Sequence, residues 1–241
     1  MIGTLISPKW FYGKDILIDF ISFFVLILVG VFTFKYYKIR KGRNYLFLSL
    51  SFLSIAVSFL IKIILNIFSY YIEDSVMAGI LSSSLTGHST GNITTIFAFG
   101  LFAHRLLLLN GFYLLYIIYQ KCSTINFDLK LRFVLMIYLL TLVTIFTHNI
   151  PQVFYLTSML ILVLVTALYW RQCCQKNKKA RKNILFYSFS VITLSQALFI
   201  FANLNPYAYV SGEIIQLIGY VLLLITFINV LFEHGKKKNK N

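Results

Sequence analysis

Acidic residues are scarce in this 241-residue chain: seven Asp and Glu stand against 22 Lys and Arg. Charged residues make up only 12% of it, where a soluble globular domain carries about 25%. With 59% hydrophobic residues and a mean hydropathy of +0.81, an ordinary soluble domain is excluded. Proline is limited to Pro8, Pro151 and Pro206, so no long apolar run is interrupted by one. The three cysteines, Cys122, Cys173 and Cys174, form no CxxC pair. They fall at helix ends expected in the reducing cytoplasm, so neither a disulfide framework nor a metal site is expected.

Enzyme motifs are lacking as well. The chain contains no HExxH or P-loop pattern, and His88, His104 and His148 are scattered. Seven-helix hydrolases of the ceramidase type set several His, an Asp and a Ser around zinc, and no convincing set stands here. A retinal Schiff base would need a lysine in the last hydrophobic segment, and none lies between Tyr207 and Phe232. The chain is therefore not expected to be an enzyme or to carry a cofactor. Met1 to Asp15 has no basic stretch followed by a cleavage site, so the first apolar segment reads as a retained helix.

What is present is a set of long hydrophobic runs. A bilayer core needs about 20 apolar residues per helix. Seven segments qualify: 16–37, 45–71, 93–119, 131–149, 152–170, 183–203 and 207–232. Helix is expected throughout, because an open sheet in lipid leaves backbone groups unsatisfied. Pro151 and Pro206 fall at helix starts, where a missing N–H costs nothing.

Eighteen of the 22 basic residues lie in three connections and the tail: Lys35 to Arg43, Lys121 to Arg132, Arg171 to Lys182, and Lys236 to Lys240. Cationic loops stay in the cytoplasm. The expected fold is thus an all-α, seven-helix bundle in the cell membrane, forming one membrane domain with its N-terminus outside and a short basic tail inside. The net charge of +15 is spread over juxtamembrane loops, so its expected partner is anionic inner-leaflet lipid rather than nucleic acid. The longest outer connection, Glu73 to Asn92, is Ser/Gly-rich and could cover a pocket; Asn92-Ile93-Thr94 is a glycosylation sequon.

A repeat is visible inside the chain. Asn44-Tyr-Leu-Phe-Leu-Ser-Leu-Ser opens the second segment, and Asn183-Ile-Leu-Phe-Tyr-Ser-Phe-Ser opens the sixth. Asn110-Gly-Phe-Tyr-Leu-Leu-Tyr-Ile in the third matches Ile218-Gly-Tyr-Val-Leu-Leu-Leu-Ile in the seventh. Segments 1–3 and 5–7 then form two parallel copies joined by the fourth, a 3+1+3 plan. That plan resembles the transporter–opsin–receptor group of seven-helix proteins. Pro151-Gln152 is similar to the motif of the PQ-loop carriers, but the matching place in the first copy is Tyr12-Gly13.

Polar residues recur at helical spacing. Ser51, Ser54, Ser58, Lys62 and Asn66 share a stripe in the second segment. Tyr138, Thr141, Thr144 and His148 do so in the fourth; Ser190, Thr193, Gln196 and Asn203 in the sixth. The first offers Asp15, Asp19 and Ser22, and the seventh Glu213, Gln216 and Tyr220. Lipid cannot satisfy such groups, so these faces should turn inward. Counted from the basic ends at about 1.5 Å per residue, Asp19, Lys62, Arg105, His148, Gln196 and Glu213 fall in one layer of the outer half.

The repeat register sets Arg105 opposite Glu213. Asp19 with Lys62, and Arg105 with Glu213, could be structural ion pairs that fix packing. The same layer could instead line an outward-opening site for a small polar or zwitterionic ligand, formed by Asp19, Lys62, His104, Arg105, His148, Gln196, Glu213 and Gln216. His104 and His148 could join a proton relay.

Transporters are built around broken helices, whereas these segments are unbroken by proline and poor in glycine. Unbroken helices favour a receptor-like or sensory module and resemble the seven-helix input modules found ahead of prokaryotic signalling domains. No output domain is read within these 241 residues, so such a sensor is expected to need a cytoplasmic partner docking on the basic loops. The alternatives are a small-solute transporter and a structural or accessory subunit.

Overall fold

The computed structural model describes residues 7–73, 90–120, 138, 140, 141, 143–145, 151–175 and 181–238. Among these the fold is all-helical. A short 3₁₀ turn, Lys9–Phe11, precedes six α-helices: α1 Lys14–Arg40, α2 Arg43–Glu73, α3 Thr90–Gln120, α4 Pro151–Gln175, α5 Arg181–Ile200 and α6 Pro206–Lys238. Five of them, α1, α2, α3, α4 and α6, are long and apolar enough to cross a membrane, and α5 carries a shorter apolar stretch, Ile184–Ile200.

The predicted fourth segment is largely outside the described residues. Its described part is helical, and Leu140 is buried in the main core. The expectation for His148, and most of that for the Ser/Gly-rich connection, likewise falls outside them. Helix α3 begins at Thr90, so the Asn92 sequon lies in its first turn rather than in the connection before it.

Local sequence explains the boundaries. Pro151 and Pro206 each open a helix, where proline's fixed φ suits the first turn. Helix α1 is capped by Lys41, which takes the left-handed conformation (φ 51°) and returns its N–H to the Tyr37 carbonyl at 2.7 Å. Asp15 stands in the first turn of α1, where the helix dipole favours a carboxylate.

Apolar side chains fill the interior and also cover the outer surface, while most of the polar residues within the helices are turned inward. On α1, Leu17, Phe20, Phe24, Leu28 and Val31 form an exposed apolar stripe, and Leu53, Val57, Leu60 and Ile64 do so on α2. The buried side holds Asp15, Asp19, Ser51, Ser58, Asn66, Gln196 and Glu213. That distribution suits a lipid surround, where apolar side chains face outward and polar ones must be satisfied within the bundle.

The helices form a closed ring: each packs on the next, and α6 returns to α1. Exchanging α1–α2–α3 with α4–α5–α6 maps every neighbouring pair onto another neighbouring pair. Two glycines mark equivalent close approaches. A Cβ on Gly111 of α3 would collide with Ile55 Cγ1 and lie 3.1 Å from the Ser51 carbonyl oxygen of α2. A Cβ on Gly219 of α6 would lie 2.5 Å from Ile192 Cγ1 and 3.4 Å from the Ser188 carbonyl oxygen of α5.

These contacts make Ser188 the counterpart of Ser51 and Ile192 that of Ile55, two residues off the register that aligns Asn44 with Asn183. The packing register also aligns Phe52 with Phe189, both 1% exposed. Helix faces repeat every 3.6 residues, so a two-residue offset moves the matching Asn-x-Leu-Phe string onto a different face.

Candidate functional site

The polar stripe of α2 does not face one place. Residues four apart on an α-helix drift by about 40° around the axis, and the stripe divides accordingly. Its first part ties α2 to α3: Ser51 donates to the Gly111 carbonyl at 2.9 Å, Ser54 to Leu107 at 2.9 Å and Ser58 to His104 at 3.0 Å. His104 Nδ1 lies 2.9 Å from the Ser58 carbonyl oxygen and closes this contact from the other side. Interhelical bonds of this type contribute on average about 0.6 kcal/mol each.

The second part of the stripe, Lys62 and Asn66, turns toward α1 and α6, and Tyr70, one turn farther on, joins it. Lys62 Nζ donates to Asp19 Oδ1 of α1 at 2.9 Å and to Glu213 Oε1 of α6 at 2.6 Å. Both carboxylates are buried, with side chains 0% and 1% exposed, while the Lys62 side chain retains 14%. Two aromatic faces flank the ammonium: Phe59 at 5.8 Å and Tyr209 at 6.0 Å.

One turn farther toward the N-terminal end of α1 the network continues. Asn66 Nδ2 donates to Asp15 Oδ2 at 3.4 Å, the Tyr70 hydroxyl donates to the same oxygen, and the Ile16 N–H donates to Asp15 Oδ1 at 2.9 Å. Three buried polar atoms here have no protein partner: Asp19 Oδ2, Asn66 Oδ1 and the Tyr209 hydroxyl. A buried polar group left unpaired costs about 1–3 kcal/mol, so each asks for water or a ligand. This end of the bundle is closed by aromatic residues. Tyr12 stacks on Tyr70 at 4.1 Å, Trp10 lies 5.9 Å from Tyr207, and Phe11 is buried with Phe199, Ala202 and Tyr209.

Of the residues expected in one layer, Asp19, Lys62 and Glu213 come together. The expected pairing of Arg105 with Glu213 is replaced: the cation on Glu213 Oε1 is Lys62, and the Arg105 guanidinium lies over the Phe154 ring at 5.8 Å. Gln196 is engaged across α4–α5, its Oε1 accepting from the Ser158 hydroxyl at 2.7 Å. Gln216 donates to the Tyr220 hydroxyl at 3.2 Å, and the Tyr220 ring meets Phe59 edge-on, so Gln216 stands behind the cluster wall. Asn203, expected in the inward stripe, is exposed.

Asp15, Asn66 and Tyr209 belong to the cluster and were not in the expected ligand set. Each lies four residues from a member that was: Asp19, Lys62 and Glu213 respectively. The i±4 neighbour of each expected residue was the available signal.

Among the described residues, no three His, Cys, Asp or Glu side chains are placed to hold a metal ion together. Comparison with protein-family models, curated proteins and solved structures finds no match.

Proposed function

We propose that this chain is a seven-helix protein of the cell membrane, with its N-terminus outside, that senses a small polar ligand at the Asp19–Lys62–Glu213 cluster. The observation that carries this reading is the set of buried, unpartnered atoms beside Lys62: Asp19 Oδ2, Asn66 Oδ1 and the Tyr209 hydroxyl. A purely structural ion pair would be expected to close its hydrogen bonds internally. The basic connections face the cytoplasm in this reading, against anionic lipid and a signalling partner. The helical runs of α1, α2 and α6 pass the cluster without a break, which favours a bundle that reports occupancy by small packing shifts.

One observation favours small-solute transport as the second reading. The cluster draws Asp19 and Lys62 from the first three helices and Glu213 from the last, and transporters place substrates at the interface between repeats. The ring order and the matched Gly111 and Gly219 contacts support a 3+1+3 duplication.

Cysteine accessibility separates these readings. Cys122, Cys173 and Cys174 are replaced by Ser, and single cysteines are placed at Asn66 and Tyr209. A membrane-impermeant thiol reagent is then applied to right-side-out and inside-out vesicles. Labelling from the outside alone is the expected result. Labelling from both sides would replace sensing with transport, and labelling from neither would leave a closed structural cluster.

A further inference from the structure

The chemistry of the cluster specifies what kind of ligand it takes. We propose that it recognises a cation bearing N–H donors, of the primary-ammonium class, bound beside Lys62. This inference rests on the ligand-site reading above and narrows it.

The cluster already holds one primary ammonium, that of Lys62, in a defined manner. Two carboxylate oxygens stand at 2.9 and 2.6 Å, and two aromatic faces at 5.8 and 6.0 Å. Carboxylates with aromatic walls are the usual surroundings of a recognised ammonium, because ring faces attract cations as well. Two carboxylates, Asp19 and Glu213, share the one ammonium of Lys62, and a third, Asp15, stands one turn away on α1.

The orphaned atoms have the matching polarity. Asp19 Oδ2 and Asn66 Oδ1 only accept, and the Tyr209 hydroxyl can accept. An anion would meet acceptors there, whereas an alkylammonium would supply up to three N–H donors. A simple metal ion is a poorer match, because the carboxylates do not converge as a ligand set among the described residues.

The ligand leaves Lys62 on Glu213 and takes Asp19 Oδ2 and Asn66 Oδ1. It thereby links α1 to α2 through bonds that the empty cluster lacks. Occupancy tightens the end of the bundle where Tyr12 stacks on Tyr70.

The test uses the purified full chain in lipid nanodiscs, with thermal midpoints measured in methylammonium, sodium and tetramethylammonium chloride at equal ionic strength. Methylammonium is expected to raise the midpoint by about 3 °C at roughly tenfold its dissociation constant. Sodium and tetramethylammonium, which carry no N–H, are expected to leave it unchanged. Asn66→Leu is expected to abolish the methylammonium response, and Asn66→Gln, which keeps the amide acceptor and donor, to retain part of it.

The same rise in all three salts, no rise in methylammonium, or an unaltered response in both Asn66 variants would overturn the proposal. A rise with glycine but none with methylammonium would overturn it too, while leaving the ligand-site reading in place.

Discussion

Replacing Lys62 by methionine is expected to be among the most damaging single changes in the molecule. Methionine fills much of the lysine's volume, so packing is largely kept and the loss is electrostatic. Two buried carboxylates, Asp19 and Glu213, are left without their shared cation. Removing one partner of a buried ion pair costs about 3–5 kcal/mol. In a chain of this size that corresponds to a fall of about 10 °C in the thermal midpoint in nanodiscs.

The origin of the loss is checked by adding Asp19→Asn and Glu213→Gln to Lys62→Met. Neutral amides remove the stranded charges, and most of the lost midpoint is expected to return. A single Asp19→Asn change in the natural chain leaves Lys62 paired with Glu213 and is expected to cost less than Lys62→Met. If Lys62→Met left the midpoint within a degree or two, the cluster would contribute nothing to holding α1, α2 and α6 together.

The second large effect concerns the close approach of α2 and α3. Gly111→Ala places a methyl group against Ile55 Cγ1 and 3.1 Å from the Ser51 carbonyl oxygen. Ile55 is branched at Cβ and 1% exposed, and the carbonyl belongs to the backbone, so neither can yield cheaply. The helices must separate, which strains the Ser51 hydroxyl bond to the Gly111 carbonyl. Overpacking of this kind costs about 1–3 kcal/mol.

Gly219→Ala is expected to behave alike, with Ile192 Cγ1 at 2.5 Å and its backbone nitrogen at 3.2 Å. Gly100→Ala is expected to cost less, since the nearest atoms belong to the flexible end of Leu65. Ile55→Ala combined with Gly111→Ala should recover part of the loss. A thermal series over these variants checks the ranking; equal effects at all three glycines would contradict the close-approach geometry.

The helices were legible in the sequence because their signal is summed over long runs. Apolar stretches as long as those in α1 and α2 have few alternatives, and Pro151 and Pro206 mark their helix starts to the residue. The meeting of Asp19 with Lys62 was legible for a related reason: the fixed rise per residue sets the level of a side chain along its helix.

Direction around a helix is harder to read. A stripe at i, i+4 drifts, so Ser51 to Ser58 serve α3 while Lys62 and Asn66 serve α1. Nothing in the letters marks where that change of neighbour falls. The assignment of Glu213 to Arg105 failed for the same reason, since equal depth in two helices does not make them adjacent. In the ring, α6 borders α1 and α5, and Lys62 reaches Glu213 from α2.

The repeat register shows a different limit. The matching Asn, Leu, Phe and Ser letters of the second and sixth segments gave one alignment, while the Gly111 and Gly219 contacts give another, two residues away. The packing register sets Lys62 against Phe199. On that register a cation in α2 stands against an aromatic side chain in α5. Phe199 packs against Tyr209 and Tyr155 instead of entering an ion pair.

The most direct measurement is the distance from the Lys62 side-chain nitrogen to the carboxyl carbons of Asp19 and Glu213. Solid-state NMR of the full chain in bilayers can read it, with ¹⁵N-labelled lysine and ¹³C-labelled aspartate and glutamate. Asp19→Asn and Glu213→Gln variants assign the two couplings. Dipolar coupling to both carboxyl groups is expected, each lost separately in its own variant, as the 2.9 and 2.6 Å contacts require. Coupling to only one carboxyl group, or to neither, would contradict a shared lysine joining α1, α2 and α6, and the ligand site built around it would fall with it.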